Sequence, residues 1–247
     1  MIGREARLLV AATAFLTRLP LSRSHTDDEL SHSARYFPLV GAAVGALGAA
    51  VTVAAAGMLP AVVAVILGVI ATVLVTGAFH EDGLADSCDG FGGGSTREDV
   101  LRIMQDPHIG AFGVLGLALV LALKIASLVH LPLAALALAL VCAHALSRAL
   151  CVVVMSFGEY ARPEGGKTRT VARGARPADA AVALVIGLIP FALAPVAFLW
   201  ALAVMLLVCI VLYAYFRARI GGYTGDALGA LQQITEAACY TTIVGAL

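Results

Sequence analysis

Charge is the scarcest property of this sequence. Asp, Glu, Lys and Arg make up 13% of its 247 residues, against 61% hydrophobic residues and a mean hydropathy of +0.95. A water-soluble domain of this length needs more polar surface, so the expected solvent is a lipid bilayer. The charges also cancel, with 16 basic and 16 acidic side chains. The basic footprint that nucleic acid requires is absent, and no nucleic-acid partner is expected. Five cysteines (Cys88, Cys142, Cys151, Cys209 and Cys239) form no C-x-x-C pair and no zinc-ligand spacing. Four of them lie in or near apolar runs and read as small buried hydrophobes. No signal peptide is expected either, because Arg18 and Pro20 interrupt the first apolar run and no small-residue cleavage site follows.

What remains is a series of apolar segments at about 38–57, 61–79, 113–130, 133–157, 178–195, 197–216 and 227–247. They predict an all-α, polytopic integral membrane protein of about seven transmembrane helices, forming one membrane-embedded domain over 1–247. Residues 5–19 are apolar but short, and predict an interfacial or re-entrant helix. Gly41, Gly45 and Gly48 give the first of these spans a small-residue face for close packing. The connections at Gly57–Ala61, His130–Pro132 and Phe191–Val196 hold no Lys or Arg, and fourteen of the 16 lie in the N-terminal segment and the other connections. By the positive-inside rule those long connections and the N-terminus are cytoplasmic and the C-terminus is outside. The expected location is a cytoplasmic membrane.

The richest connection begins with FHEDGLADSCDGFGGG (Phe79–Gly94). If the preceding helix continues here, about 100° per residue puts Asp82, Asp86 and Asp89 within an arc of roughly 60° on one face. Three carboxylates on one face repel, and acidic groups at a helix C-terminus oppose its dipole. A divalent cation between them is the simplest compensation. Carboxylates that hold Mg²⁺ can in turn hold a diphosphate and neutralise a leaving group. The D-x-x-D-G segment from Asp86 to Gly90 is shared, as motif and chemistry, with CDP-alcohol phosphotransferases. Ser95 and Glu98 are spaced as a capping box for a short helix that ends near Asp106. Asp106 either ends that helix or joins the acidic site. His80 points away from the aspartates on a continued helix, and His108 is a general base by residue type.

Lys124 and Arg148 stand inside apolar segments, where an unpaired cation costs about 2.5–3.5 kcal/mol on insertion scales. Either the acidic site, a substrate phosphate or Glu236 would pair with them. Thr26 to Glu29 is spaced as a second capping box, and Thr224 or Asp226 would cap the last helix. The glycine-rich GGYTGD (Gly221–Asp226) also presents backbone N–H groups suited to an anion.

These motifs together resemble the cobalamin synthase family, the adenosylcobinamide-GDP ribazoletransferases. The resemblance runs nearly end to end, through FLTRLPL (Phe15–Leu21), FPLVG (Phe37–Gly41), FHEDGLADSCDGFGG (Phe79–Gly93), the stretch Leu101–Gly113, Ser147-Arg148, YARPEG (Tyr160–Gly165) and GGYTGDALGA (Gly221–Ala230). It implies a membrane enzyme that uses Mg²⁺ and joins α-ribazole, or its 5′-phosphate, to adenosylcobinamide-GDP with release of GMP. On that footing Asp82, Asp86, Asp89 and Asp106 are the catalytic and metal-holding candidates. Arg102, Lys124, Arg148 and Arg162 are candidates for phosphate oxygens, and Thr224 and Asp226 for closing the site from the last helix. Membrane prenyltransferases also hold Mg²⁺-diphosphate on aspartates, but with a second acidic motif. Here Asp226 has no carboxylate three or four residues away. The motifs leave open a homo-oligomer or an association with other cobalamin-pathway enzymes.

Overall fold

A backbone in hydrocarbon must satisfy its own hydrogen bonds, which helices do within one segment. The computed structural model of this chain describes residues 2–21, 25–162 and 175–246. Those residues are helical almost throughout, and their β structure is one isolated bridge between Tyr160 and Tyr223. The order is α1 (Ile2–Leu16), α2 (Asp27–Ser33), a 3₁₀ turn (Ala34–Tyr36), α3 (Phe37–Ala56), α4 (Ala61–Thr76), α5 (Phe79–Gly93), α6 (Arg97–Ile103), α7 (Ala111–Val129), α8 (Leu133–Phe157), α9 (Pro177–Ala192), α10 (Ala197–Ile220) and α11 (Gly225–Ala246). The basic stretch 163–174, with Glu164, Gly165, Lys167, Arg169 and Arg173, lies outside the described residues, as does Arg23.

All seven expected spans are helices, but they differ in their fitness to cross a bilayer. Four are long and apolar enough by themselves: α3 with the helical turns before it, α7, α8 and α10. Helix α9 is apolar but has only 16 residues. Helix α11 has 22 residues, and Gln232, Gln233 and Glu236 make it the polar member. Its neighbours explain why this is tolerated: α5, α7, α8 and α10 pack around it. Helix α8 is the other centre, with α3 and α9 against it. Gly41 and Gly45 let α3 lie on the α8 backbone, where a Cβ at Gly45 would stand 2.5 Å from the Leu140 carbonyl oxygen. The small-residue face is used inside the molecule, as the spacing implies.

Helix α1 buries Leu8, Ala11, Ala12 and Leu16 on one stripe and exposes Arg4 and Arg7 on the other. That is the amphipathic pattern of an interfacial helix. The Thr26 capping box forms, with Glu29 N donating to Thr26 Oγ1 at 3.2 Å and Thr26 N donating to Glu29 Oε2 at 3.1 Å. Behind it, buried Asp179 at the start of α9 accepts from Arg35 Nε at 2.7 Å and lies 3.0 Å from His32 Nδ1. This ties the N-terminal segment to α9.

The apolar run before the aspartates does not continue as one helix. Gly77 (φ 69°) and Ala78 (φ 58°) both take the left-handed conformation. Gly77 is suited to it; Ala78 is strained there. The two residues turn α5 by 91° from α4. If α4 crosses the membrane, α5 lies across its end and carries its acidic residues with it.

Candidate active site

The acidic site is built where α5 crosses α11. Glycine makes the crossing close: a Cβ on Gly83 would meet Asp226 Cα and its carbonyl oxygen at 3.0 Å, and a Cβ on Gly229 would meet His80 O at 3.0 Å. Asp82 flanks Gly83 and Asp86 follows one turn later, so Asp226 comes to face both. Burial pushes Asp86 up to about 7, reinforced by Asp226 and Asp82, then opposed by Arg162. Asp226 is also raised, by burial first, against the pull of Arg162. Asp82 is exposed and Asp86 half-buried, and neither carboxylate has a hydrogen-bond partner among the described residues.

Arg162 reaches this group because two loops are zipped together. Ala161 N donates to Tyr223 O at 2.8 Å, and Tyr223 N donates to Glu159 O at 2.9 Å. The pairing carries Arg162 to the first turn of α11, where it donates to Asp226 Oδ2 at 2.6 Å. Its Nε is buried without a partner among the described residues. Helix α6 closes the same end: Arg97 donates to Ala161 O at 2.8 Å and to Ile220 O at 2.9 Å. The motifs YARPEG and GGYTGD are thus neighbours, at least through the described Tyr160–Arg162.

The other expected site residues are placed differently. Asp89 leaves the acidic face for a different task. Its carboxylate accepts from Gly110 N at 2.7 Å and Gly113 N at 2.8 Å, at the N-terminus of α7. Orphan N–H groups and the positive end of the helix dipole account for that position. Any side chain at Gly110 or Gly113 would collide with the Asp89 carboxylate, which explains the I-G-x-x-G run. Asp106 sits 2.8 Å from His108 Nδ1 and accepts from His108 N at 2.9 Å. These contacts lower its pKa, and its side chain is 55% exposed. Arg102 is 73% exposed and bonded to Asp99 at 3.3 Å. The α6 cap is Thr96, one residue after the expected Ser95, with Asp99 N donating to Thr96 Oγ1 at 3.1 Å.

Lys124 and Arg148, expected at phosphate oxygens, both pair with Glu236. Lys124 Nζ lies 2.7 Å from Glu236 Oε2 and Arg148 NH1 3.1 Å from Glu236 Oε1. Ser147 and Gln232 also donate to Glu236, and Arg148 donates to His144 O at 2.9 Å. All of these side chains are buried, with Arg148 2% and Lys124 5% exposed. Unpaired cations at such depth are costly, and a shared carboxylate removes the cost for both. Thr224 takes the capping role expected of it or Asp226. It is fully buried, its Oγ1 accepts from Ala227 N at 3.1 Å, and it caps α11.

Carboxylate oxygens suit a hard cation, and the burial and the repulsion from Asp226 and Asp82 that raise Asp86 would both be offset by one. As placed, the described residues hold no group of three His, Cys, Asp or Glu within reach of one ion. Asp82, Asp86 and Asp226 would need to close together to form one.

Fold and site define a class: an all-α, polytopic membrane protein with an acidic group at a helix crossing and an arginine on its rim. Sequence comparison makes the class specific. Residues 8–244 match the cobalamin-5-phosphate synthase family. The chain belongs to that family and is an enzyme, a transferase of cobalamin biosynthesis. It is similar to an adenosylcobinamide-GDP ribazoletransferase of Shewanella frigidimarina, 43% identical over 98% of this chain and 95% of the relative. The protein of the same name in Ralstonia nicotianae is 46% identical over 94% of this chain and 93% of the relative. That in Leptothrix cholodnii is 43% identical over 96% and 94%. No solved structure matches the chain.

Proposed function

We propose that this chain joins α-ribazole, or α-ribazole 5′-phosphate, to adenosylcobinamide-GDP and releases GMP. The observation that carries the reading is the meeting of Asp82, Asp86 and Asp226 beside Arg162, in a chain whose relatives bear that name over nearly their full length. A ribose hydroxyl attacks the β-phosphorus, its oxygen forms the new P–O bond, its proton passes to a carboxylate of the acidic group, and the bond from that phosphorus to the GMP oxygen breaks. Mg²⁺ held by Asp82, Asp86 and Asp226 would neutralise the diphosphate. Arg162, whose Nε has no partner among the described residues, suits a phosphate oxygen. Asp89 supports the site by fixing α7 to α5.

The charged connections and this acidic end belong, in this reading, to the cytoplasmic side of the bacterial inner membrane. The test is direct. Purified protein is given adenosylcobinamide-GDP and α-ribazole with and without Mg²⁺, and products are identified by mass. GMP and the joined cobalamin are expected only with the metal. Release of pyrophosphate, or no product from folded protein, would overturn the proposal.

A further inference from the structure

Helix α11 presents one stripe to α5. Asp226, Gly229 and Gln233 are spaced i, i+3 and i+7, so they share a face over about two turns. The upper end of the stripe belongs to the acidic site and Gly229 is the close contact. At the lower end Gln233 Nε2 donates to Glu81 Oε1 at 2.8 Å, while Gln233 Oε1 accepts from Lys124 Nζ at 2.8 Å. Both amide groups of Gln233 are therefore occupied, one on α5 and one on α7. Gln233 is 2% exposed and Glu81 8% exposed, and Glu81 Oε2 has no partner among the described residues.

Glu81 immediately precedes Asp82, and adjacent residues on a helix point about 100° apart. A buried pin at Glu81 thus sets the rotation of α5 about its own axis. With the rotation set, Asp82 is turned outward and Asp86 toward Asp226. We infer that Glu81 and Gln233 are positioning residues: their hydrogen bond, with the Gly83–Gly229 contact, sets how the α5 carboxylates face Asp226. The inference rests on the reading of that group as the metal-holding site. Neither residue touches the reacting atoms.

The role is separable from simple support of the fold. Glu81→Gln keeps the oxygen that accepts from Gln233, whereas Glu81→Leu and Gln233→Leu remove the bond from opposite sides. Mn²⁺ binding to purified protein in detergent, followed by electron paramagnetic resonance, reads the site without turnover. Supporting residues of metal sites typically change affinity by about 10–100-fold, so roughly tenfold weaker binding is expected for each leucine variant. Glu81→Gln should stay within about threefold of wild type, on the same scale. Gly229→Ala pushes α5 from α11 and should weaken binding in the same direction.

Leucine variants that bind Mn²⁺ like wild type would overturn the positioning role. So would Glu81→Gln failing as badly as Glu81→Leu, because the hydrogen bond would then not be the cause. Loss of the folded state in both leucine variants would reduce the pair to a structural pin and also end the inference. A wild type that binds no Mn²⁺ would instead remove the metal reading itself, which distinguishes the two failures.

Discussion

Two groups of charges sit on α11, one at its first turn and one three turns further on, and they are organised in opposite ways. The deeper group is closed. Glu236 is shared by Lys124 and Arg148, supplemented by Ser147 and Gln232, and shut away from solvent. The upper group is open. Asp82, Asp86 and Asp226 face one another with Arg162 as their nearby cation, and part of the group is exposed. The closed group keeps Arg148 Nε and Gln232 Oε1 without partners among the described residues, but both are buried, whereas the open one has exposed oxygens and repulsion to relieve. The comparison separates charges that hold the bundle together from charges placed for chemistry.

The sharpest way to break this comparison is at Glu236. Glu236→Leu leaves Lys124 and Arg148 buried without their common partner. Breaking a buried ion pair from one side costs about 3–5 kcal/mol, and that loss is expected in an unfolding titration of the detergent-solubilised protein. Lys124→Met should cost less, since Arg148 still pairs with Glu236. A Glu236→Leu protein as stable as wild type would remove the distinction between the groups.

The open group should answer in the other sense. Asp86→Asn removes a charge from a crowded acidic face, so the fold should keep its stability while GMP release falls at least about a hundredfold, near 2.7 kcal/mol in the barrier. Activity above a tenth of wild type would place the chemistry elsewhere. Asp89→Asn asks to which group Asp89 belongs. Its carboxylate serves two backbone N–H groups of α7, and weakening such a cap costs about 1–2 kcal/mol of stability. Mn²⁺ affinity should change little; a hundredfold loss would return Asp89 to the metal-holding set.

Much of this arrangement was legible in the sequence because it is local. The Thr26 box, the seven apolar helices, the close α3 face and the Asp82–Asp86 spacing all follow from periodicities within one segment. The hinge was not legible, because an alanine at position 78 ordinarily favours helix over the left-handed conformation. Nor was the task of Asp89, which depends on the start of α7 meeting a residue 21 positions earlier. Glu236 could be foreseen as a partner for one intramembrane cation. That it serves both depends on α7, α8 and α11 meeting at one point, which no single-segment pattern reports. Nor was it legible that the α11 crossing sets Asp226 against the α5 carboxylates, while Asp106 lies with His108.

The smallest expected effect is a matter of pH, and it distinguishes the groups without any substitution. Asp86 is raised to about 7 by burial and by Asp226 and Asp82. Between about pH 4 and 7 the folded protein then holds a proton that the unfolded chain has released. The stability this contributes is present below the unfolded pKa and lost as pH rises through about 7. A divalent cation on the same oxygens would take the place of that proton, so its stabilising effect should grow over the same interval. The rise in unfolding temperature on adding Mg²⁺ should be roughly twofold larger at pH 8 than at pH 6. The Asp86→Asn protein should show no such growth from this residue, whereas Lys124→Met, altered in the closed group, should keep it. A Mg²⁺ effect independent of pH in the wild type would mean that the cation does not displace the Asp86 proton, and would detach the metal from the α5–α11 crossing.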